Sequence, residues 1–210
     1  MNETWKDFLQ ERHKEILLLA SAGIAILALV AVFSFTNGGG GSYVPEEYIR
    51  AREDAIKISQ EIGGLSSEIN QLLANITTKN NTGDYNGALA IARSGASQTN
   101  QVGKKAEELL GALENMVESI DKVKPASAVK VGKDAISVGI KMVERLVVYS
   151  NLSNDLIQKI EAKLNGGNVK EDEIRQTIDS INEEVRFINS LNSDYQALAT
   201  QFDNLTKDSQ

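Results

Sequence analysis

Between residues 45 and 206 the chain repeats one pattern, in which apolar side chains recur at alternating steps of three and four residues among charged and amide positions. The first such series is Tyr48, Ala51, Ala55, Ile58, Ile62, Leu65, Ile69, Leu72 and Ile76. The second runs Tyr85, Ala88, Ala92, Gly95, Thr99, Val102, Ala106, Leu109, Leu113, Met116 and Ile120. This spacing lays one apolar stripe along each helix and is the heptad pattern of left-handed helix packing. A third segment is apolar over a wider arc, from Ala135, Ile136 and Val138 through Met142, Val143, Leu146, Val147 and Tyr149 to Leu156 and Ile160, so it is expected to be the most buried. The fourth gives Ile174, Ile178, Ile181, Val185, Ile188, Leu191, Tyr195, Leu198, Phe202 and Leu205. Its two successive three-residue steps around Ile188 predict a locally overwound seam.

The breaks between these series are polar. Thr77 to Asp84 reads TTKNNTGD, Leu164 to Asn168 reads LNGGN, and Asp121 to Pro125 forms a tight third connection. Pro45 and Pro125, the two prolines of the chain, suit the first turn of a helix, where a missing N–H is harmless. Four helices are predicted, over 45–78, 84–121, 125–164 and 169–206. Short loops between long helices favour antiparallel neighbours. The predicted fold is therefore all-α: an N-terminal transmembrane helix followed by an elongated antiparallel four-helix bundle with coiled-coil-like heptads. Helices of ~35 to 40 residues extend ~50 to 60 Å.

The transmembrane prediction rests on a different pattern. From Ile16 to Phe35 the chain reads ILLLASAGIAILALVAVFSF with no charge. Twenty residues span roughly 30 Å, the thickness of a hydrocarbon core. A cleavable signal peptide is the rival reading. The preceding residues carry Glu3, Asp7, Glu11 and Glu15 among their cations, and Ser34-Phe35-Thr36 makes a poor cleavage site, so an uncleaved anchor is favoured. Lys6, Arg12 and Lys14 precede the span and the first cation after it is Arg50, which places the N-terminus in the cytoplasm. Residues 1–15 are read as a short cytoplasmic leader, 16–36 as the transmembrane helix, 37–44 as a Gly-rich tether, 45–206 as the extracytoplasmic bundle and 207–210 as a tail. The expected location is the cell membrane, crossed once, with the C-terminal domain extracytoplasmic. Ser21 and Ala25 give the span one pair of small residues through which two helices could approach.

Charge sharpens the arrangement. Beyond the span stand 19 Lys and Arg against 25 Asp and Glu, the opposite of the basic face that a nucleic-acid binder presents. From Lys122 to Arg145 the third helix is mostly basic, whereas the fourth carries Glu171, Asp172, Glu173, Asp179, Glu183, Glu184, Asp194 and Asp203, so these two are expected to pair. Gly87, Gly95, Gly103 and Gly111 recur in the second helix, each costing ~1 kcal/mol against alanine. With Ala88, Ala92, Ala96 and Ala106 nearby, close helix packing is the expected compensation, with Gly63-Gly64 as a matching site.

Chemistry is excluded more than it is indicated. The sole histidine, His13, precedes the span and cysteine is absent, so the outer segment lacks thiolate or imidazole metal ligands and Ser-His-Asp triads. Glu107-Glu108, Glu171-Asp172-Glu173 and Glu183-Glu184 read as solvated helical surface rather than acid–base pairs. Gly38 to Ser42 lacks the lysine of a phosphate loop. The run from Asp84 to Leu89 resembles the start of a tetratricopeptide helix, but no such repeat recurs, and Asp84 is read as a simple N-cap. Asn-x-Ser/Thr triplets begin at Asn2, Asn75, Asn80, Asn151 and Asn204, with Asn80 the best acceptor because it falls in a predicted connection.

The chain is read as a non-enzyme without catalytic, cofactor-binding or metal-ligating residues. Its expected function is that of a membrane-anchored structural or protein-interaction scaffold. The expected partners are the lipid bilayer, through the residues from Ile16 to Phe35, and a protein partner or a second copy, through helical faces. The layout also resembles the extracytoplasmic four-helix bundles of chemoreceptors and sensor kinases. That resemblance implies a ligand-sensing module signalling through a partner protein, since the predicted cytoplasmic part is only Met1 to Glu15.

Overall fold

The computed structural model describes residues 43–207, and these form a four-helix bundle: α1 (Glu46–Asn81), α2 (Tyr85–Ile120), α3 (Ala126–Leu164) and α4 (Glu171–Lys207). Helices of 36, 36, 39 and 37 residues rise about 54 to 58 Å. Among the described residues no helix is long and apolar enough to cross a membrane. The predicted leader, the span from Ile16 to Phe35, most of the tether and most of the tail lie outside the described residues.

The turns follow from local chemistry. α1 and α3 both end with a glycine in the left-handed region, Gly83 and Gly166, each at φ 81°. In each, the next amide reaches back five residues: Asp84 N–H to the Lys79 carbonyl at 2.9 Å, and Gly167 N–H to the Ala162 carbonyl at 2.8 Å. This is the Schellman closure, which satisfies carbonyls that the helix leaves open. Asp84 caps α2 as expected, accepting from Gly87 N–H at 3.0 Å. Pro45 and Pro125 sit one residue earlier than expected, at the N-caps of α1 and α3. Tyr43 and Lys124 exchange backbone hydrogen bonds of 3.3 and 2.8 Å, which ties the chain ahead of α1 to the α2–α3 connection.

The first predicted break was drawn too long. α1 continues through Thr77 and Thr78, whose hydroxyls bond back to the Leu73 and Ala74 carbonyls, and only 82–84 form the turn. Asn80 consequently lies inside a helix and is fully buried, so it is not an accessible glycan acceptor; Asn75, Asn151 and Asn204 are exposed on helices.

The helices run up, down, up and down. α1 and α2, α2 and α3, and α3 and α4 approach within 8 Å between Cα atoms, whereas the Cα traces of α1 and α4 stay farther apart than that. Side chains alone close the ring. The apolar core runs its whole length, from Tyr48, Ile120, Ile136 and Phe202 at the end holding Tyr43 to Ile76, Ala88, Ile160 and Ile174 at the other.

Two expectations about the core change. The irregular step read in α4 is absent from its burial pattern: the innermost positions include Val185, Ile188, Asn192 and Tyr195, in regular alternation, while Leu191 is only half-buried. α1 buries as wide an arc as α3, because polar residues supplement its apolar stripe. The glycines of α2 divide. A side chain at Gly95 would strike Leu72 of α1 at 2.8 Å and Ile157 of α3 at 2.9 Å, and one at Gly103 would meet Ser150 at 3.1 Å. Gly111 and Gly64 face open space, so neither makes the close approach expected of it, while Gly63 is buried.

Candidate functional site

The feature that departs most from an ordinary apolar bundle is the α1–α4 seam. On α1, Arg52, Ser59, Ser66, Leu73 and Asn80 recur every seven residues, and Gly63, Asn70 and Thr77 recur beside them; all are buried. Seven residues make two turns, so each row shares a face. The Arg52 row begins against α4, where Arg52 bonds to Asp203, and continues along the interior, where Ser59 lines a cavity with Leu113 and Tyr195 and Ser66 lies near Tyr149 of α3. α4 answers with Asn189, Asn192, Ala199 and Asp203.

The strongest contact in the seam is the pair at its end near Tyr43. The Arg52 guanidinium donates to both carboxylate oxygens of Asp203, at 2.7 and 3.2 Å, with side chains only 6% and 3% exposed. Phe202 lies beneath the guanidinium at 5.7 Å from its ring centroid, and Tyr48 stacks on Phe202 at 5.3 Å. Burial works against the Arg52 charge, but the hydrogen bonds and charge of Asp203 outweigh it and hold the guanidinium above its ordinary value. For Asp203 burial dominates and moves the carboxyl up, opposed by Arg52 and more weakly by Lys207. Breaking such a pair by removing one partner costs about 3 to 5 kcal/mol, since the other charge is left buried. As each charge needs the other, an alignment that separated them would leave both buried and unpaired.

Farther along the seam, polar groups are buried without hydrogen bonds: Asn70 Nδ2, both side-chain polar atoms of Asn80, and Asn189 Oδ1. Ser66 Oγ lies near the Tyr149 hydroxyl but outside good hydrogen-bond geometry. Each unpartnered group costs about 1 to 3 kcal/mol. A cavity between Ser59, Leu113, Gly139, Met142 and Tyr195 encloses about 10 Å³, room for a single water-sized sphere.

The adjacent acids do not converge on a cleft. Glu107 and Glu108 are exposed, with Glu108 accepting from Lys105 at 2.6 Å, and Glu171, Asp172 and Glu173 occupy the first turn of α4, where the helix dipole favours them. Glu184 departs from the solvated-surface reading: it is 9% exposed and pairs with Arg145 of α3 at 3.2 Å, beneath the Arg145–Phe187 contact. That ion pair joins the two helices whose opposite charge suggested pairing. Lys159, Asp155 and Thr177 form a second polar link there, with Lys159 Nζ 2.6 Å from Asp155 and 2.9 Å from Thr177. Among the described residues no three carboxylate, histidine or cysteine side chains cluster to hold a metal ion. An open groove between α1 and α2, rimmed by Lys57, Glu61, Lys105 and Glu108 over Gly111, is shallow and solvated.

The seam residues were missed because apolar periodicity passes over them. The available signal was the seven-residue recurrence of Arg52, Ser59, Ser66 and Asn80. No family model matches the chain, and neither a curated protein nor a solved structure matches it.

Proposed function

We propose that this chain is a single-pass, membrane-anchored helical bundle that acts as a structural or protein-interaction scaffold outside the cytoplasm. The observation that carries the choice of scaffold over ligand sensor is the want of an enclosed apolar site among the described residues: the cavity beside Tyr195 takes one water, and the groove of about 390 Å³ between α1 and α2 is open and lined mainly by charged side chains, whereas a small-molecule site is a concave, mostly apolar pocket of several hundred Å³. The anchor reading is supported by the uncharged run from Ile16 to Phe35. In that reading the Tyr43–Lys124 pairing turns the α2–α3 connection toward the bilayer, and the bundle extends outward from it over its length of about 55 Å.

The experiment is fractionation of the full chain from cells, with alkaline carbonate extraction and protease protection. Retention in the membrane, with the bundle digested only from the outer side, is the expected result, and Leu27→Asp in the span should release it. Full extraction of the unaltered chain by carbonate would overturn the anchor. Thermal stabilisation of the bundle by a small molecule, in place of a protein partner, would overturn the scaffold and favour the sensor.

A further inference from the structure

We infer that the α1–α4 seam is a gate, which opens from the end remote from Tyr43 while the Arg52–Asp203 pair holds the near end closed. Three independent features converge on this seam. Around the ring, α1–α2, α2–α3 and α3–α4 are each joined by a loop of a few residues, but α1 and α4 are consecutive neighbours with no connection. Separating them therefore tears no turn.

The second feature is distance. α1 and α4 keep their Cα traces beyond 8 Å, so their contact is made by side-chain tips, while the loop-joined pairs approach closely enough for backbone to meet side chain. Ser150 of α3, for instance, donates to the Thr99 carbonyl of α2 at 2.6 Å, a bond that separation of α2 from α3 would forfeit.

The third is polarity. Asn70, Asn80 and Asn189 hold buried side-chain atoms with no hydrogen-bond partner from the protein, and bulk water would reach them on opening. The other seams hold fewer such atoms, Gln98 Oε1 at α1–α2 and Glu184 Oε2 at α3–α4, and opening them breaks polar contacts that are made, from Gln98 to Glu68, Arg145 to Glu184 and Ser150 to Thr99. Local opening follows the region of least net stability, and these polar atoms lie in the middle and far parts of the seam. The near end is held by two hydrogen bonds between opposite charges and by the Tyr48–Phe202 stack. The device is thus a clasp at one end and a yielding seam beyond it, and opening presents the inner faces of α1 and α4 without unfolding either helix. This does not depend on the membrane anchor.

The absence of native cysteine allows spin labels to be placed by substitution alone. Three exposed pairs in the full chain read the three regions: Thr78→Cys with Asp179→Cys at the far end of the seam, Glu53→Cys with Thr200→Cys at the clasp, and Lys104→Cys with Asn151→Cys across α2–α3 as reference. Pulsed electron resonance should give the far pair a second distance population, longer by about one helix diameter, ~10 Å. The clasp and reference pairs should each give one narrow peak. Arg52→Met should broaden the clasp pair and enlarge the open population. Asn70→Leu with Asn189→Leu, which removes two of the three unpartnered amides without touching the clasp, should shrink that population and serves if the Arg52 variant fails to fold. A single narrow peak at the far pair, or equal broadening of the reference pair, would overturn the gate.

Discussion

The α2–α3 and α1–α4 seams belong to one bundle and are built on opposite principles. α2 and α3 meet through small residues and aliphatic tips. A side chain at Gly132 of α3 would strike Ile120 of α2 at 2.5 Å, and one at Gly139 would strike Leu113 at 3.0 Å. Close approach there supplies dispersion contacts and a side-chain hydrogen bond to backbone, from Ser150 to Thr99. α1 and α4 are farther apart and meet through a buried ion pair, an aromatic stack and amides without partners. Close packing stabilises whatever fits, whereas a buried ion pair contributes little net stability and penalises every wrong alignment. The glycine-rich seam thus holds the bundle together, and the polar seam selects the neighbour and leaves a path for opening.

The largest test of that contrast is the ion pair. Arg52→Met alone should lower unfolding stability by about 3 to 5 kcal/mol in chemical denaturation, because Asp203 is left buried and unpaired. Adding Asp203→Leu should restore most or all of it. Equal losses in the single and double variants would mean that the pair itself supplies stability, and the distinction between the seams would fail. Next, Gly132→Val should cost about 1 to 3 kcal/mol by overpacking against Ile120 and Phe202. If it is neutral, α2 and α3 are not held by close fit.

Alkaline titration sharpens the comparison from another side. Burial raises the hydroxyl pKa of Tyr48, Tyr149 and Tyr195, and for Tyr48 and Tyr195 the nearby Arg52 only partly opposes it. A folded-state pKa above the unfolded value of about 10 stabilises the fold at lower pH, and that contribution is lost as pH rises past the unfolded value. Stability should therefore fall above about pH 10, by up to ~1.4 kcal/mol per pH unit for each tyrosine. Tyr48→Phe and Tyr195→Phe should each flatten the decline, as measured by denaturant midpoints across pH. The smallest effects form a mirrored pair. Asn70→Leu should raise stability by about 1 kcal/mol by removing a donor without an acceptor, while Ser150→Ala should lower it by about 1 kcal/mol by removing a bond that is made. The same sign in both would erase the contrast.

Much of the fold was legible because its cause is local. The helix breaks at Gly83 and Gly166, the Asp84 cap and the alternation of α2 are each set within a few residues of sequence. The errors about burial share one source, which is the treatment of polar residues as outward-facing. TTKNNTGD read as a loop because its residues are polar, yet Thr77 and Asn80 are buried. Leu191 was placed inside ahead of Asn192, and the structure reverses them. Ile58 and Leu65 are half-buried, while the polar Ser59 and Ser66 beside them are buried completely.

By itself the sequence determined the all-α class, the four helices and their short turns, because hydrogen bonds within a helix, glycine's access to positive φ and the apolar period act over one or two turns of chain. Only the tertiary structure decided that α1 and α4 stand apart, that Arg52 meets Asp203 across 151 positions, and that amides line the seam between them. A side chain's inward direction is set by the helix that lies opposite, and a partner so distant along the chain leaves no mark in the local pattern.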